Sequence, residues 1–211
     1  MDRLESGLEA PPSSPVNMSL PHRILFSKEI GTSVLLVLLL ALLYLFAWRG
    51  MRFFMVPSHS MEPTLSVNDM IVTLKEKGYR RGDMVVWHED GEYMVKRIIG
   101  LPGDNISVVD GALFINGKYA SEPYMPEPMR YMIERPVRIP EGRFFYLGDN
   151  RNASDDSSLG FITAGLSGRR RNPGAYLGDM EAIVGKVRFI YYPYHRFGRV
   201  HSYPLINVAG V

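Results

Sequence analysis

The stretch of the sequence that carries the most reactive side chains is MVPSHSMEPTL, residues 55–65, in which two serines and one histidine stand between Pro57 and Pro63. Because proline fixes its backbone φ angle, the two prolines stiffen this segment and can hold a hydroxyl group in one place. A serine hydroxyl becomes a nucleophile only when a positioned base removes its proton. The segment therefore indicates nucleophilic catalysis by Ser60 if another part of the chain supplies a base.

Two residues are candidates for that base. His59 adjoins Ser60, but neighbouring side chains of an extended segment point in opposite directions, so His59 is badly placed to serve it. Lys96 lies in the strand-like run YMVKRIIG, where it shares one face with two apolar residues. Burial between apolar neighbours lowers the pKa of a lysine, and the adjacent cation Arg97 would favour the neutral amine further. The alternative, an edge strand whose lysine reaches water, stays open from the strand alone.

A third polar region, GDNRNASDDSS, follows an apolar run at residues 148–158. A neutral lysine amine needs a hydrogen-bond partner to orient its lone pair, and a serine hydroxyl of this region could supply it. The alternative is an ordinary surface turn, for which Asn, Asp and Ser are typical.

An apolar run without any charge, residues 30–48, precedes these regions. At about 1.5 Å per residue it spans about 28 Å as a helix, close to the thickness of a bilayer's hydrocarbon core. It predicts an uncleaved transmembrane helix, since no small-x-small cleavage site follows it. Residues 1–29, with EAPPSSPVN, predict a disordered tail. Basic residues flank the run on both sides, so charge does not orient it.

Residues 53–211 predict a β-rich domain. Short runs of β-branched and aromatic residues are bounded by turn residues, and Asp-Gly and Asn-Gly pairs at 110–111 and 116–117 indicate tight hairpin turns. No helical period is evident outside the anchor. The fold class expected is therefore mostly β, an antiparallel β-sheet catalytic domain with one N-terminal transmembrane helix. The predicted strands are residues 70–75, 83–88, 92–99, 143–148 and 181–192.

Composition excludes several kinds of site. The chain has no cysteine, which rules out disulfides, a thiol nucleophile and cysteine-ligated metals. Its five histidines show no metal-ligand spacing, so no metal and no cofactor are expected. The formal net charge of +2 gives no reason to expect a nucleic-acid partner.

Four segments, in order, match the boxes of one family: PSHSMEPTL (57–65), RGDMVVW (81–87), YMVKRIIGLPGD (93–104) and GDNRNASDDS (148–157). The chain resembles the type I signal peptidases, which are membrane-bound Ser/Lys proteases of bacteria. The resemblance implies these roles: Ser60 as nucleophile, Lys96 as general base, Ser58 with the Ser60 N–H as oxyanion hole, Ser154 as hydrogen-bond partner of the base, and Asp156 with Arg97 as a supporting ion pair.

The function implied by the resemblance is a serine endopeptidase that removes signal peptides from exported preproteins after a small-x-small sequence. It would sit in the inner membrane, its catalytic domain on the extracytoplasmic side and an apolar face against the lipid bilayer. Three alternatives remain: a conjugation-type processing peptidase with a dedicated substrate, a self-cleaving protease of the SOS-repressor type, and a non-catalytic envelope scaffold.

The sequence departs from the family pattern at two places. His59 stands where many members have glycine, and Ser158 stands where arginine is usual. The best alignment of the final strand implies an insertion over residues 158–173. Its arginines at 169–171 could replace the missing arginine, or they could form a solvated basic loop.

Overall fold

The computed structural model of the protein describes residues 21–48, 50–166, 176–203 and 205. The chain divides into two compact units, residues 1–45 and 46–211. The first unit contains most of the N-terminal helix, and the second contains the end of that helix and the β-rich part of the chain.

Helix α1 runs from Pro21 to Trp48. It begins before the predicted start at residue 30, so residues 21–29 are helical, whereas the part of the predicted tail at 1–20 lies outside the described residues. Within the described chain, Lys28–Phe46 is the one helical segment long and apolar enough to cross a membrane, with a mean hydropathy of 2.3 and no buried residue. These properties agree with the predicted anchor.

In its described residues, the β-rich unit contains short antiparallel strands and one further α-helix. Helix α2 spans Ser157–Leu166. The strands are β1 (Arg52–Met55), β2 (Met70–Leu74), β3 (Met84–Glu89), β4 (Glu92–Gly100), β5 (Asn105–Val109), β6 (Ala112–Ile115), β7 (Lys118–Tyr119), β8 (Ile133–Arg138), β9 (Arg143–Leu147), β10 (Gly178–Asp179), β11 (Ile183–Tyr192) and β12 (Gly198–Arg199).

The strands form two sheets. The larger has the order β1-β2-β11-β3-β4-β9-β10, with β12 paired to β11, and the smaller has the order β7-β6-β5-β8. Every pairing is antiparallel, which confirms the predicted fold class. The turns of the smaller sheet fall at the predicted pairs, where Asp110 and Asn116 have φ values of 49° and 56° and are each followed by glycine.

Strand β4 lies in the interior of the larger sheet, between β3 and β9. Since successive side chains of a strand alternate, Lys96 shares a face with Ile98, and Arg97 lies on the opposite face with Ile99. Ile98 belongs to one apolar cluster with Trp87, and Ile99 belongs to another. Both faces of β4 are therefore covered by core, and both cations are buried.

Several elements were not predicted. Strands β1, β8, β10 and β12 are short or interrupted, and β8 contains Pro136, which is unfavourable in a sheet interior. Helix α2 takes up the first part of the predicted insertion and has little polar–apolar asymmetry, so its sequence gives a weak helical signal.

Candidate active site

Ser60 lies in a single 3-10 turn, His59–Met61, between β1 and β2. The segment is thus a turn here and not the extended stretch that the sequence suggested. Met61 is fully buried in the core and Ser60 is only 8% exposed. The Ser58 hydroxyl lies 3.2 Å from the Ser60 hydroxyl. The hydroxyl oxygens of the two serines therefore lie next to each other, close to the buried Met61.

The loop that follows β9 holds this turn in place. The Asn150 backbone N–H donates to the Ser60 carbonyl at 3.1 Å, and the Asn150 side-chain amide donates to the His59 carbonyl at 3.3 Å. Gly148 is in such close contact with the turn that a Cβ there would overlap the Ser60 carbonyl oxygen. The region at 148–158 therefore contacts the segment at 55–65 that carries Ser60, although many residues separate the two in the chain. We call residues 55–65 the nucleophile segment.

His59 points away from the site. Its side chain is 72% exposed, and its Nδ1 lies 2.9 Å from a carboxylate oxygen of Glu62. A histidine in this position does not contact the Ser60 hydroxyl, in agreement with the sequence argument that it is badly placed as a base.

Lys96 is buried beside the turn. Only 6% of its surface is exposed, its partner on β3 is Val85, and the 3-10 turn contacts β4. Lys96 forms no hydrogen bond or ion pair with any residue that the structure describes. Burial lowers the pKa of Lys96, and the negative charges of Asp156, Asp155 and Asp149 oppose this shift in part. The alternative of an edge-strand lysine that reaches water is wrong, because β4 is an interior strand.

Arg97, next in the chain, has a full set of partners. Its guanidinium donates to both carboxylate oxygens of Asp149, at 2.7 and 2.6 Å, and to the Gly82 carbonyl at 2.7 Å. Burial would lower the pKa of Arg97, but the hydrogen bonds and charge of Asp149 raise it overall. The predicted ion pair between Arg97 and Asp156 is therefore wrong, since Asp149 takes that place.

The Arg97–Asp149 pair also reaches the nucleophile segment. The Thr64 hydroxyl donates to the second carboxylate oxygen of Asp149 at 2.5 Å. One carboxylate thus connects β4, the loop after β9 and the segment that carries Ser60. The segment that the prolines were expected to stiffen is also held by this buried ion pair.

Asp156 does not pair with Arg97 as predicted but accepts hydrogen bonds at the start of α2. It accepts hydrogen bonds from the Gly148 N–H at 3.0 Å and from the backbone and hydroxyl of Ser158 at 3.0 and 2.7 Å. These contacts make Asp156 the N-cap of α2, where a negative charge is also favourable. Ser158, which stands where the family has arginine, is therefore itself a partner of Asp156. The arginines at 169–171 lie outside the described residues.

Ser154 lies against the same glycine. A Cβ at Gly148 would overlap its hydroxyl as well as the Ser60 carbonyl, so both serines are close to this glycine. The Ser154 hydroxyl is buried and has no hydrogen-bond partner among the residues that the structure describes. The predicted hydrogen bond from Ser154 to Lys96 is consequently not formed here, but a buried hydroxyl next to the site is free to make one.

Comparison with known proteins identifies the family. Residues 27–192 match the family described as "Signal peptidase, peptidase S26". The chain is 31% identical over 205 residues to a probable signal peptidase I-1 of Synechocystis, covering 90% of this chain and 95% of the relative. It is 32% identical over 202 residues to signal peptidase I S of Bacillus subtilis, covering 88% and 98%. A signal peptidase I of Leptolyngbya laminosa is 33% identical over 197 residues, covering 84% and 83%.

The chain belongs to the signal peptidase S26 family. The resemblance based on four short boxes is thus confirmed over most of the chain. The protein is a serine peptidase of the signal peptidase I type, and its N-terminal apolar helix is consistent with a membrane anchor.

The structure of this signal peptidase contains a second set of buried polar residues that the sequence analysis missed. Arg151 pairs with Glu122 and donates to the Gly148 carbonyl at 3.0 Å. The Tyr124 ring lies 4.0 Å from the guanidinium carbon of Arg97, and the Tyr124 hydroxyl donates to Glu122. The proline-rich loop at 121–129 is therefore fastened beneath the site. No local pattern marks these partners, because they meet only through the fold.

Proposed function

We propose that the protein is a membrane-bound endopeptidase that removes signal peptides from exported preproteins, with Ser60 as nucleophile and Lys96 as general base. The observation that carries this proposal is the state of Lys96, a buried lysine without a counter-ion beside the turn that presents Ser60. A neutral amine at that position can accept a proton, which a solvated ammonium group cannot do.

The first half of the reaction is acyl transfer. The Ser60 oxygen bonds to the scissile carbonyl carbon while the Lys96 amine takes the hydroxyl proton. The carbonyl oxygen becomes an oxyanion that accepts hydrogen bonds from the Ser58 hydroxyl and the Ser60 N–H, each worth about 3–4 kcal/mol. Ser58 suits this role because its hydroxyl lies next to the attacking oxygen. The carbon–nitrogen bond then breaks, and Lys96 gives its proton to the leaving amine of the mature protein.

The second half releases the signal peptide. A water molecule attacks the acyl carbon as Lys96 takes one of its protons, and the Ser60 oxygen leaves with that proton. The carboxylate of the signal peptide is the product. No cofactor is needed, because the two protein groups carry every proton that moves.

The unpartnered hydroxyl of Ser154 fits the role of orienting the Lys96 amine. Each proton transfer requires the lysine lone pair to point at Ser60, and a hydrogen bond from a neighbouring hydroxyl restricts its rotation. Ser154 lies against Gly148, which also contacts the carbonyl of Ser60. The hydroxyl is thus within the same group of residues as the nucleophile.

The finer details of substrate and location extend the resemblance to the family. We expect cleavage after a small-x-small sequence, the lipid bilayer as the surface on which the enzyme works, and residues 53–211 on the extracytoplasmic side. Phe53 and Met55 of β1 are more than half exposed, and such apolar side chains at the start of the domain favour contact with lipid. Protease added to intact spheroplasts should digest the 53–211 domain and spare the N-terminal tail. The reverse pattern would separate the site from exported preproteins.

The experiment that tests the function is cleavage of a preprotein by the purified full-length protein in detergent. The wild type should produce the mature protein with a new N-terminus directly after the small-x-small sequence, and Ser60→Ala should produce none. A panel of unrelated preproteins also separates the general peptidase from a conjugation-type enzyme, which would cleave one dedicated substrate only. Cleavage by Ser60→Ala at the wild-type rate would refute the proposal.

A further inference from the structure

A cavity opens on the side of the larger sheet where β3 turns into β4, the strand that carries Lys96. Its volume is about 290 Å³. Its lining includes Glu89, Glu92, Met94 and Tyr146 of the sheet, Asp90 of the turn between β3 and β4, and Asp155 and Asp156 of the loop after β9. Glu89 accepts a hydrogen bond from the Trp87 indole. We call this cavity the acidic cleft.

The acidic cleft is adjacent to Lys96. Met94 lies two positions before Lys96 in β4 and so shares its face of the sheet. The carboxylates with the largest effect on Lys96 are Asp156 and Asp155, and both line the cleft. Lys96 is more than nine-tenths buried, and it has no hydrogen-bond or ion-pair partner among the residues that the structure describes. The cleft therefore lies next to the position that a substrate held at the dyad would occupy.

The charge of the cleft is not neutralised by the described part of the protein. Asp90, Glu92 and Asp155 form no hydrogen bond or ion pair there through their carboxylates, whereas Asp156 is occupied by Gly148 and Ser158. None of the described residues that line the cleft is a lysine or an arginine. Three free carboxylates around one concave surface give a negative potential that attracts cationic groups.

We propose, resting on the function above, that the acidic cleft binds the preprotein segment just after the scissile bond and selects basic side chains there. The segment before the cleavage site is apolar in a signal peptide, and an apolar chain gains nothing from a surface lined by carboxylates. Two exposed apolar side chains, Phe53 and Met55, lie outside the cleft on β1, which leads directly into the Ser60 turn. The signal peptide therefore approaches along β1, and the mature segment leaves through the cleft.

The effect on specificity follows from the exposure of the cleft. Pairs of opposite charge at partly exposed positions are each worth about two- to fivefold in binding, and salt screens them. Lysine at the first three mature positions should thus raise kcat/KM about tenfold over glutamate at low salt. The preference should shrink as ionic strength rises.

The experiment uses the full-length protein in detergent and three preproteins that carry Lys, Gln or Glu at the first three mature positions. Its readout is the ratio of kcat/KM for the Lys substrate to that for the Glu substrate. In the variant Asp90→Asn/Glu92→Gln/Asp155→Asn the ratio should fall towards one. The ratio cancels any change in overall rate that follows when a charge near Lys96 is removed.

A matched control removes three exposed carboxylates that lie outside the cleft, Asp110→Asn/Glu134→Gln/Glu141→Gln. It has the same change in net charge and should keep the wild-type ratio. A further pair of substrates carries Lys or Glu at the position two residues before the scissile bond, where the ratio should stay near one.

Three results would overturn the inference. A wild-type ratio near one, with the Gln substrate cleaved normally, would refute the selection of basic side chains by the cleft and leave the proposed function intact. An equal loss of preference in the control variant would assign the effect to net charge. A preference that appears only before the scissile bond would place the signal peptide in the cleft. Failure to cleave any of the substrates would instead contradict the proposed function.

Discussion

Lys96 and Arg97 are neighbours in β4, and their side chains are buried on opposite faces of the strand, with 6% and 0% of their surface exposed. Arg97 is held by both oxygens of Asp149 and by a backbone carbonyl, so it stays charged. Lys96 has no counter-ion in contact among the described residues, and burial lowers its pKa. The same strand thus contains one cation stabilised by a partner and one that is driven towards its neutral form.

The presence or absence of a hydrogen-bonded counter-ion separates a buried charge that stabilises the fold from one that can react. A buried ion pair with complete hydrogen bonding holds elements together, and here it connects β4 to the loop after β9 and to Thr64. A buried cation without a partner costs free energy unless it loses its proton, and a neutral lysine amine is a base. The sequence places Lys and Arg side by side, and the fold gives them different chemistry.

The largest expected effect is the loss of activity when Lys96 is replaced. Lys96→Met should lower kcat/KM for preprotein cleavage at least about a thousandfold, because the Ser60 proton then has no acceptor. The double variant Ser60→Ala/Lys96→Met should be no worse than either single variant, since the two residues act as a unit. Activity in Lys96→Met within tenfold of the wild type would place the base elsewhere.

The next effect is on stability, for which the substitution of Arg97 should matter more than that of Lys96. Arg97→Met leaves the buried Asp149 without its partner and should lower the free energy of unfolding by about 3–5 kcal/mol. Lys96→Met replaces a poorly solvated amine by an apolar side chain of similar length and should leave stability unchanged or higher at pH 7. Urea unfolding of the full-length protein in detergent measures the free energy of unfolding of both variants. An equal loss of stability in the two would contradict the difference proposed between a paired Arg97 and an unpaired Lys96.

Ser154→Ala should have a smaller effect, and only on catalysis. Removal of a buried hydroxyl that has no partner costs no hydrogen bond, so the free energy of unfolding should change by less than about 0.5 kcal/mol. If the hydroxyl orients the Lys96 amine during proton transfer, kcat should fall about ten- to a hundredfold with KM little changed. A purely structural role would produce the opposite result, a loss of stability with kcat retained.

The smallest effect is expected for His59. His59→Ala removes an exposed contact to Glu62 and should change kcat/KM by less than about threefold. The acidic limb of the pH profile should remain where it was, because the proposed base is Lys96. Loss of that limb in His59→Ala would show that histidine serves as the base.

Local patterns in the sequence predicted much of this arrangement. Alternation in YMVKRIIG placed Lys96 and Arg97 on opposite faces, and the Asp-Gly and Asn-Gly pairs marked hairpin turns that the structure contains. The side-chain period of a strand and the preference of such pairs for positive φ depend on few neighbouring residues, so they can be recognised without the fold.

Partners across the fold could not be predicted in this way. Asp149 follows Arg97 by 52 positions, and no pattern distinguishes it from Asp156 as the counter-ion. Ser158 occupies the place of a family arginine and bonds Asp156 only because α2 begins there. Glu122 and Tyr124 come from a loop whose composition indicates only a turn. Contacts between distant segments depend on how the sheets pack, and a single sequence does not contain that information in a local form.

The most direct test of the account is a titration of Lys96 itself. In the full-length protein labelled with ¹³C at lysine Cε, the Lys96 resonance is assigned by its absence from Lys96→Met, and its shift is followed from pH 5 to 12. Lys96 should titrate below the ordinary lysine value of about 10.4, and kcat/KM should fall as pH drops through the same midpoint. A Lys96 that titrates together with the exposed lysines, at about 10.4 or above, would contradict the neutral base on which the proposed mechanism depends.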